Sequence, residues 1–162
     1  AAPPMLDWSE RVATLDPHAS RHTSLVRMLN LWQISPGPVI SDFGTGDAAA
    51  FFRLSALRYD LQVQTLDGDL ALLRRLSRPA ILALKRASGP EVGFVVLTEM
   101  GEDTAIIRGG DMADAWELSV PIPELMDRLS GPIYLFWKDF FGLLHKNFER
   151  VPFMPFFGVD LT

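Results

Sequence analysis

Apolar residues change their spacing near the middle of the chain, and this change predicts a helix that leads into a strand. Leu70, Leu73 and Leu76 recur at helical spacing, and Pro79 then stops the helix. The residues that follow, 80–84, are continuously apolar, which is typical of a buried strand. The sequence therefore predicts that a short helix delivers the chain into a sheet.

Short apolar segments separated by turn residues predict four more strands. Glycine, proline, serine and acidic residues bound these segments, which are 92–98, 104–108, 115–120 and 133–137. Connections between neighbouring strands are too short for a parallel crossover, so we expect antiparallel pairing. A helix over 123–129 precedes the last strand, which gives a meander with one inserted helix.

The N-terminal part of the chain begins with a helix-capping pattern. Asp7 followed by Glu10 is a capping box, which predicts a helix over 8–14. Asp16 and Pro17 close that helix, because the residue before a proline disfavours the helical region.

Two more helices and a strand complete the pattern. Thr23 or Ser24 caps a helix that runs to Gln33, with one apolar face formed by Leu25, Met28, Leu29 and Trp32. A third helix over 47–57 and a strand over 59–64 follow. The predicted fold class is α+β, with N-terminal helices packed on an antiparallel sheet.

Composition and charge narrow the possible functions. A chain of 162 residues with 48% apolar and 22% charged residues is predicted to be one globular domain. A net charge of −5 without a basic stripe argues against a nucleic-acid partner. Arg74, Arg75 and Arg78 are interpreted as the solvated face of a helix. No apolar run is long enough to span a membrane, and the first residues resemble neither a signal peptide nor a natural start, which predicts an excised fragment.

The sequence offers no catalytic constellation on its own. The absence of cysteine excludes a disulfide, a thiolate nucleophile and a cysteine-ligated metal. His18 and His22 stand four residues apart, but Pro17 makes one helix through both doubtful, and no acidic residue has the spacing of a zinc site. His145 is predicted to face solvent. No nucleophile elbow or phosphate-binding glycine loop occurs, and acidic pairs such as Glu102 and Asp103 are turn formers.

The C-terminal segment is rich in phenylalanine. Six phenylalanines lie within the 18 residues 140–157, too many to leave in water. Two interpretations stay open, because the segment either packs on its own domain or docks on a partner. Phe153, Phe156 and Phe157 are the candidate interface residues.

Several stretches together resemble a known family. They are Leu25–Trp32; Gly46 with the alanines after Asp47; 70–84, which includes Arg-Pro-Ala-Ile-Leu; 94–97; and 131–137, which is Gly-Pro-Ile-Tyr-Leu-Phe-Trp. Over residues 24–138 the chain resembles the bacteriocin-processing, papain-like cysteine peptidase family, in its periplasmic form of the general secretion pathway A (ExeA) type. The resemblance implies a papain-like topology and three segments: a linker and helix (1–23), a degenerate peptidase domain (24–138) and an aromatic-rich extension (139–162).

The resemblance also implies where an active site would lie. In active relatives a cysteine begins one helix, a histidine precedes a strand and an Asp or Asn follows the next strand. The corresponding positions here are Asp47, Gly93 and Arg108, which cannot perform the cysteine–histidine reaction. We expect a retained fold with a lost reaction, and an ion pair between Asp47 and Arg108 across the former groove, with capture of peptide termini as the alternative.

The implied role is that of a non-catalytic interaction domain. It would lie in the periplasm, in a type II secretion assembly protein tethered to the inner membrane by a segment outside this fragment, without a cofactor. Its implied partner is a general secretion pathway B-type protein, with the secretin or peptidoglycan as further possibilities. Two alternatives stay open: an active peptidase or cell-wall hydrolase that uses Asp47, Ser41 or Thr45, and a domain that captures unfolded export substrates.

Overall fold

A computed structural model describes residues 8–36, 47–67, 70–86 and 90–138. Five helices and six strands lie in this part of the chain. The helices are α1 (Trp8–Ala13), α2 (Pro17–Leu31), α3 (Ala48–Leu57), α4 (Leu70–Leu76) and α5 (Ile122–Arg128). The strands are β1 (Leu61–Leu66), β2 (Ala80–Lys85), β3 (Val92–Met100), β4 (Thr104–Gly109), β5 (Trp116–Pro121) and β6 (Ile133–Lys138). Among these helices, none combines the length and apolar character needed to cross a bilayer.

The six strands form one antiparallel sheet in the order β1-β6-β2-β3-β4-β5. The predicted meander holds from β2 to β5, but its continuation into β6 is wrong. After α5, the N–H of Ser130 donates to the Ala83 carbonyl at 2.9 Å, which brings the chain back to β2. Strand β6 then pairs with both β1 and β2. The physical reason is burial, because residues 133–136 are all buried and require a central place, whereas β5 alternates as an edge strand does.

Helix α2 begins earlier than the sequence predicted. Asp16 accepts a hydrogen bond from the Ala19 N–H at 2.7 Å, and Pro17 occupies the first turn. The pair that ends α1 therefore also starts α2, since proline is well suited to the first helical position. Helix α2 runs continuously through His18 and His22, against our expectation, and it crosses residue 23, where a segment boundary was predicted. It ends where Gln33 adopts φ 61°.

Helices cover both faces of the sheet. The front face carries α2 and α3, and its core includes Leu25, Met28, Phe52, Phe94 and Phe136. The back face carries α1, α4 and α5, and its core includes Trp8, Val12, Leu73, Leu82 and Leu125. Strand β2 contributes buried residues to both cores, which explains its unbroken apolar run.

One side chain of α2 completes the backbone pairing of β3. Strand β3 pairs with β4 only from Val96 onward, so the N–H of Phe94 lies beyond the end of that ladder. This N–H donates to Ser20 Oγ at 3.0 Å, within the buried interface. Helix α2 is therefore joined to the sheet at its N-terminal end by a buried hydrogen bond.

Replacing Ser20 by alanine should lower the free energy of unfolding by about 1–2 kcal/mol, because the buried N–H of Phe94 loses its acceptor. Ser24→Ala is the matched control on the same helix, since the buried Ser24 hydroxyl has no hydrogen-bond partner among the described residues. That change should leave stability unchanged or raise it. Urea unfolding followed by tryptophan fluorescence measures both; equal losses would contradict the role of Ser20.

Candidate functional site

Helix α2 leaves the front face of β4 and β5 open. It packs mainly on β3, and its neighbour α3 packs on β1 and β6. On β4 and β5 the front face therefore carries exposed polar side chains, Arg108 and Glu117, instead of a helix-covered core. A groove forms between the C-terminal half of α2 and these two strands.

We call this depression the α2–β5 groove. Its volume is about 460 Å³, within the range of ligand-binding pockets. Charged, polar and apolar side chains all contribute to its wall. The lining residues are Arg27, Asn30, Leu31, Val96, Thr98, Arg108, Ala115, Trp116 and Glu117.

Arg27 is a nearly buried cation in this wall. Only 8% of the residue is exposed, and Nη2 donates to the carbonyls of Gly110 at 2.6 Å and Asp111 at 3.1 Å. Its Nη1 is buried without a hydrogen-bond partner among the described residues. Burial lowers the pKa of Arg27, as does the nearby charge of Arg108, and the Asp111 carboxylate opposes them more weakly. A negative charge entering the groove would relieve this imbalance.

Arg108 and Glu117 face each other on neighbouring strands. They are paired in register, and Arg108 Nε donates to Glu117 Oε1 at 2.7 Å. Their side chains are 47% and 50% exposed, so the pair contributes only about 0.2–1 kcal/mol to stability. Such a pair can exchange partners at little cost.

Two glycines leave room for the Trp116 ring, which packs on the back core behind the groove. A Cβ at Gly109 would lie 2.6 Å from the indole ring, and one at Gly110 would lie 2.7 Å from it. Gly110 also has φ 84°, a conformation that favours glycine. On the Trp116 ring, the Arg11 guanidinium carbon lies 6.0 Å from the centroid. The ring is therefore held by close contact with backbone.

The structure does not bring together the three positions implied by the family resemblance. Asp47 caps α3 by accepting from the Ala49 N–H at 3.0 Å, and its charge acts on Tyr134 of β6. Tyr134 and Arg108 lie on one line of register, which runs through Ile81 and Val96. Three strand spacings separate them, about 14 Å. The expected ion pair of Asp47 with Arg108 is wrong, because Arg108 pairs with Glu117.

Gly93 faces the opposite side of the sheet. Neighbouring residues of a strand alternate between faces, and Val95 and Leu97 belong to the back core. A Cβ at Gly93 would lie 2.8 Å from Leu15 Cβ and 2.9 Å from Leu15 Cδ1. The space beside Gly93 is thus filled by the connection between α1 and α2.

His18 and His22, the two histidines within the described ranges, do not line the groove. His18 and His22 are exposed on α2, and Arg21 Nη2 lies 3.3 Å from His18 Nδ1. In the described ranges, no group of three histidine, aspartate or glutamate side chains is placed to hold a metal ion. The predictions for Ser41, Thr45, His145 and the interface candidates Phe153, Phe156 and Phe157 fall outside those ranges.

Arg27 and Trp116 were missed by reasoning from the sequence. Arg27 follows Ser20 and Ser24 at helical spacing, and this polar row is buried on the same helix as the apolar face. An arginine in such a row signals a buried polar site. Gly109 and Gly110 indicated only a turn, since nothing in the local pattern shows that Trp116 comes back to them across the β4–β5 connection.

Comparisons with known proteins identify the fold. A scan of protein families and a search of curated proteins found no match. Among solved structures, the peptidase domain of Streptococcus ComA, a bi-functional ABC transporter involved in a quorum sensing pathway, matches with a TM-score of 0.57 and 12% identity, over 78% of this chain and 96% of its own. A periplasmic domain of the EpsAB fusion protein of the Vibrio vulnificus type II secretion system matches with a TM-score of 0.55 and 16% identity.

The EpsAB match covers 79% of this chain and 49% of the EpsAB chain, so this chain spans about half of that length. At these identities the likeness shows the fold alone. The α+β class with helices packed on an antiparallel sheet, and the likeness to a peptidase domain, are confirmed.

Tyr134 provides a test of where Asp47 lies. Burial, and next the Asp47 carboxylate, raise the pKa of Tyr134 above its ordinary value. A raised folded-state pKa contributes stability that is complete below about pH 10 and is lost as pH rises through the folded-state value. Tyr134→Phe should reduce that loss, and Asp47→Asn should lower the pKa of Tyr134. Alkaline titration of tyrosine absorbance with urea unfolding measures both. Tyr59→Phe, which removes the only other tyrosine, is the control; equal effects of the two substitutions would contradict the assignment.

The contact between Gly93 and Leu15 predicts a non-additive pair of substitutions. Gly93→Ala should lower the free energy of unfolding by about 1–3 kcal/mol through overpacking. Leu15→Gly should cost more than about 2 kcal/mol through lost burial. The double variant should lose less than the sum, because the added methyl group enters the vacated space. A double-mutant cycle by urea unfolding measures the coupling, and strict additivity would show that the two residues are not in contact.

Proposed function

We propose that this chain is a non-catalytic periplasmic interaction domain, and that it belongs to a type II secretion assembly protein tethered to the inner membrane. The observation that carries the proposal is the filled space beside Gly93. The family resemblance places the catalytic histidine there, and Leu15 occupies the volume that an imidazole would need. A scaffold of the peptidase-domain type with this position closed is better suited to binding than to hydrolysis.

The missing nucleophile supports the same proposal. Cysteine peptidases act through a thiolate that is activated by an imidazole, and the chain of 162 residues contains no cysteine. Asp47 and Arg108, the other two implied positions, have separate hydrogen-bond partners, and Arg108 lies three strand spacings, about 14 Å, from Tyr134, on which the Asp47 charge acts. An aspartate used as an N-cap and an arginine held by a glutamate do not form a nucleophile with its base.

The similar EpsAB domain belongs to a type II secretion system, which supports the choice of pathway. A general secretion pathway B-type protein is the proposed partner, and assembly of the secretin or association with peptidoglycan is the proposed outcome of that contact. The α2–β5 groove is the surface that we assign to the interaction, since it combines depth, mixed charge and apolar side chains.

Binding and hydrolysis can be measured on the same protein. Isothermal titration with the periplasmic part of the B-type protein from the same organism should give a Kd of about 10 µM or tighter, as for a transient interface. Casein and peptidoglycan fragments should yield no product. The Asp47→Asn variant keeps the helix cap and should bind equally well. The absence of binding heat at high micromolar concentration would contradict the proposal. Product release that Asp47→Asn abolishes would also contradict it and would favour the atypical hydrolase.

A further inference from the structure

The α2–β5 groove contains a cation whose hydrogen-bonding capacity is incompletely used. Arg27 is nine-tenths buried and lines the groove, and its Nη1 has no hydrogen-bond partner within the described ranges. A buried polar group without a partner costs free energy, and a buried charge costs more. Two backbone carbonyls satisfy Nη2 but supply no full negative charge.

The charged side chains that line the groove do not balance. Arg27 and Arg108 are positive, and Glu117 is the one acidic side chain in the lining. Arg108 Nε donates a hydrogen bond to the Glu117 carboxylate. The Asp111 carboxylate also acts on Arg27, but more weakly than Arg108 does. The side chains that line the groove therefore carry one more positive than negative charge, on a chain whose net charge is −5.

The chemistry around these cations favours a peptide carboxylate. Glu117 already shows that a carboxylate fits on Arg108, at 2.7 Å from Nε. Apolar groups of Leu31 and Val96 line the same cavity and suit an aliphatic side chain next to the acid. A volume of about 460 Å³ accommodates a short segment of chain. A phosphate group alone would leave the apolar wall uncovered.

We propose that the α2–β5 groove binds an acidic, extended peptide segment of a partner protein, one of whose carboxylates takes the place of Glu117 on Arg108 while a neighbouring apolar side chain rests on Leu31. This inference deepens the proposed function and rests on it for the identity of the partner, but the groove's chemistry is independent of that identity.

Glu117 is an internal competitor in this arrangement. Its pair with Arg108 is half exposed and weak, so a ligand carboxylate displaces it at little cost. Removing the Glu117 charge therefore strengthens binding, whereas removing the Arg108 charge weakens it. Opposite effects from two partners of one ion pair distinguish a binding site from a structural pair, for which both changes would act alike on stability.

The test uses a fluorescent, acetylated and amidated peptide, Gly-Glu-Leu-Asp-Gly-Leu-Glu-Gly, and its Gln/Asn counterpart. Fluorescence anisotropy should show that the acidic peptide binds at least about tenfold more tightly than the neutral one, and less tightly in 500 mM than in 50 mM salt. Arg108→Gln should weaken acidic-peptide binding about tenfold, and Glu117→Gln should strengthen it about threefold. Arg75→Gln, which removes an exposed arginine of α4 on the back face, is the matched control and should change nothing.

Two results would overturn the inference. The first is equal binding of the acidic and neutral peptides, or no binding of either at millimolar concentration. The second is tighter binding of a twelve-nucleotide single-stranded DNA than of the acidic peptide. Arg108 is exposed, so its substitution leaves a folded protein in which each outcome can be read. If the B-type protein binds equally well to the Arg108→Gln variant, the groove is not its binding site, and the proposed function stands. If the acidic peptide binds but the B-type protein does not, the inference about the groove stands and the proposed function is wrong.

Discussion

Strand β2 is buried on both of its faces, and this requirement determines where each helix lies. Ile81 and Ala83 point into the front core, and Leu82 and Leu84 point into the back core. A strand without a polar face needs a layer on each side. Helices α2 and α3 supply the front layer, and α1, α4 and α5 supply the back layer. On the front face this cover does not extend over β4 and β5, and the binding surface assigned to the domain lies there.

The position of α2 connects this layered core to the groove. Ser20 joins its N-terminal end to β3, and Arg27, two turns later, joins it to the carbonyls that follow β4. The helix is thus fixed at two points along its length, and its C-terminal half lies beside the uncovered front face of β4 and β5. The same arginine that anchors the helix also presents positive charge to the groove, so fold and recognition share one side chain.

Sequence patterns predicted nearly every element but not their arrangement in space. Continuous apolar residues identified β2 and β6, because burial on both faces leaves an unmistakable local signal. The place of β6 between β1 and β2 depends on a long-range crossover, which no local pattern encodes. The groove was missed for a similar reason, since Arg27 and Arg108 are 81 positions apart in the chain. The start of α2 was missed because Asp16 and Pro17 end one helix and begin the next.

The contact of Trp116 with Gly109 and Gly110 has a consequence for the thermodynamics of recognition on the other face of the sheet. The indole packs on the back core, and a side chain at either glycine would push it away. The carbonyls of Gly110 and Asp111, which hold Arg27, belong to the same segment. A flexible cation would lose rotamer freedom when a ligand arrives, and that entropy would be subtracted from the affinity. Arg27 is instead preorganised by a chain segment that is itself held in place.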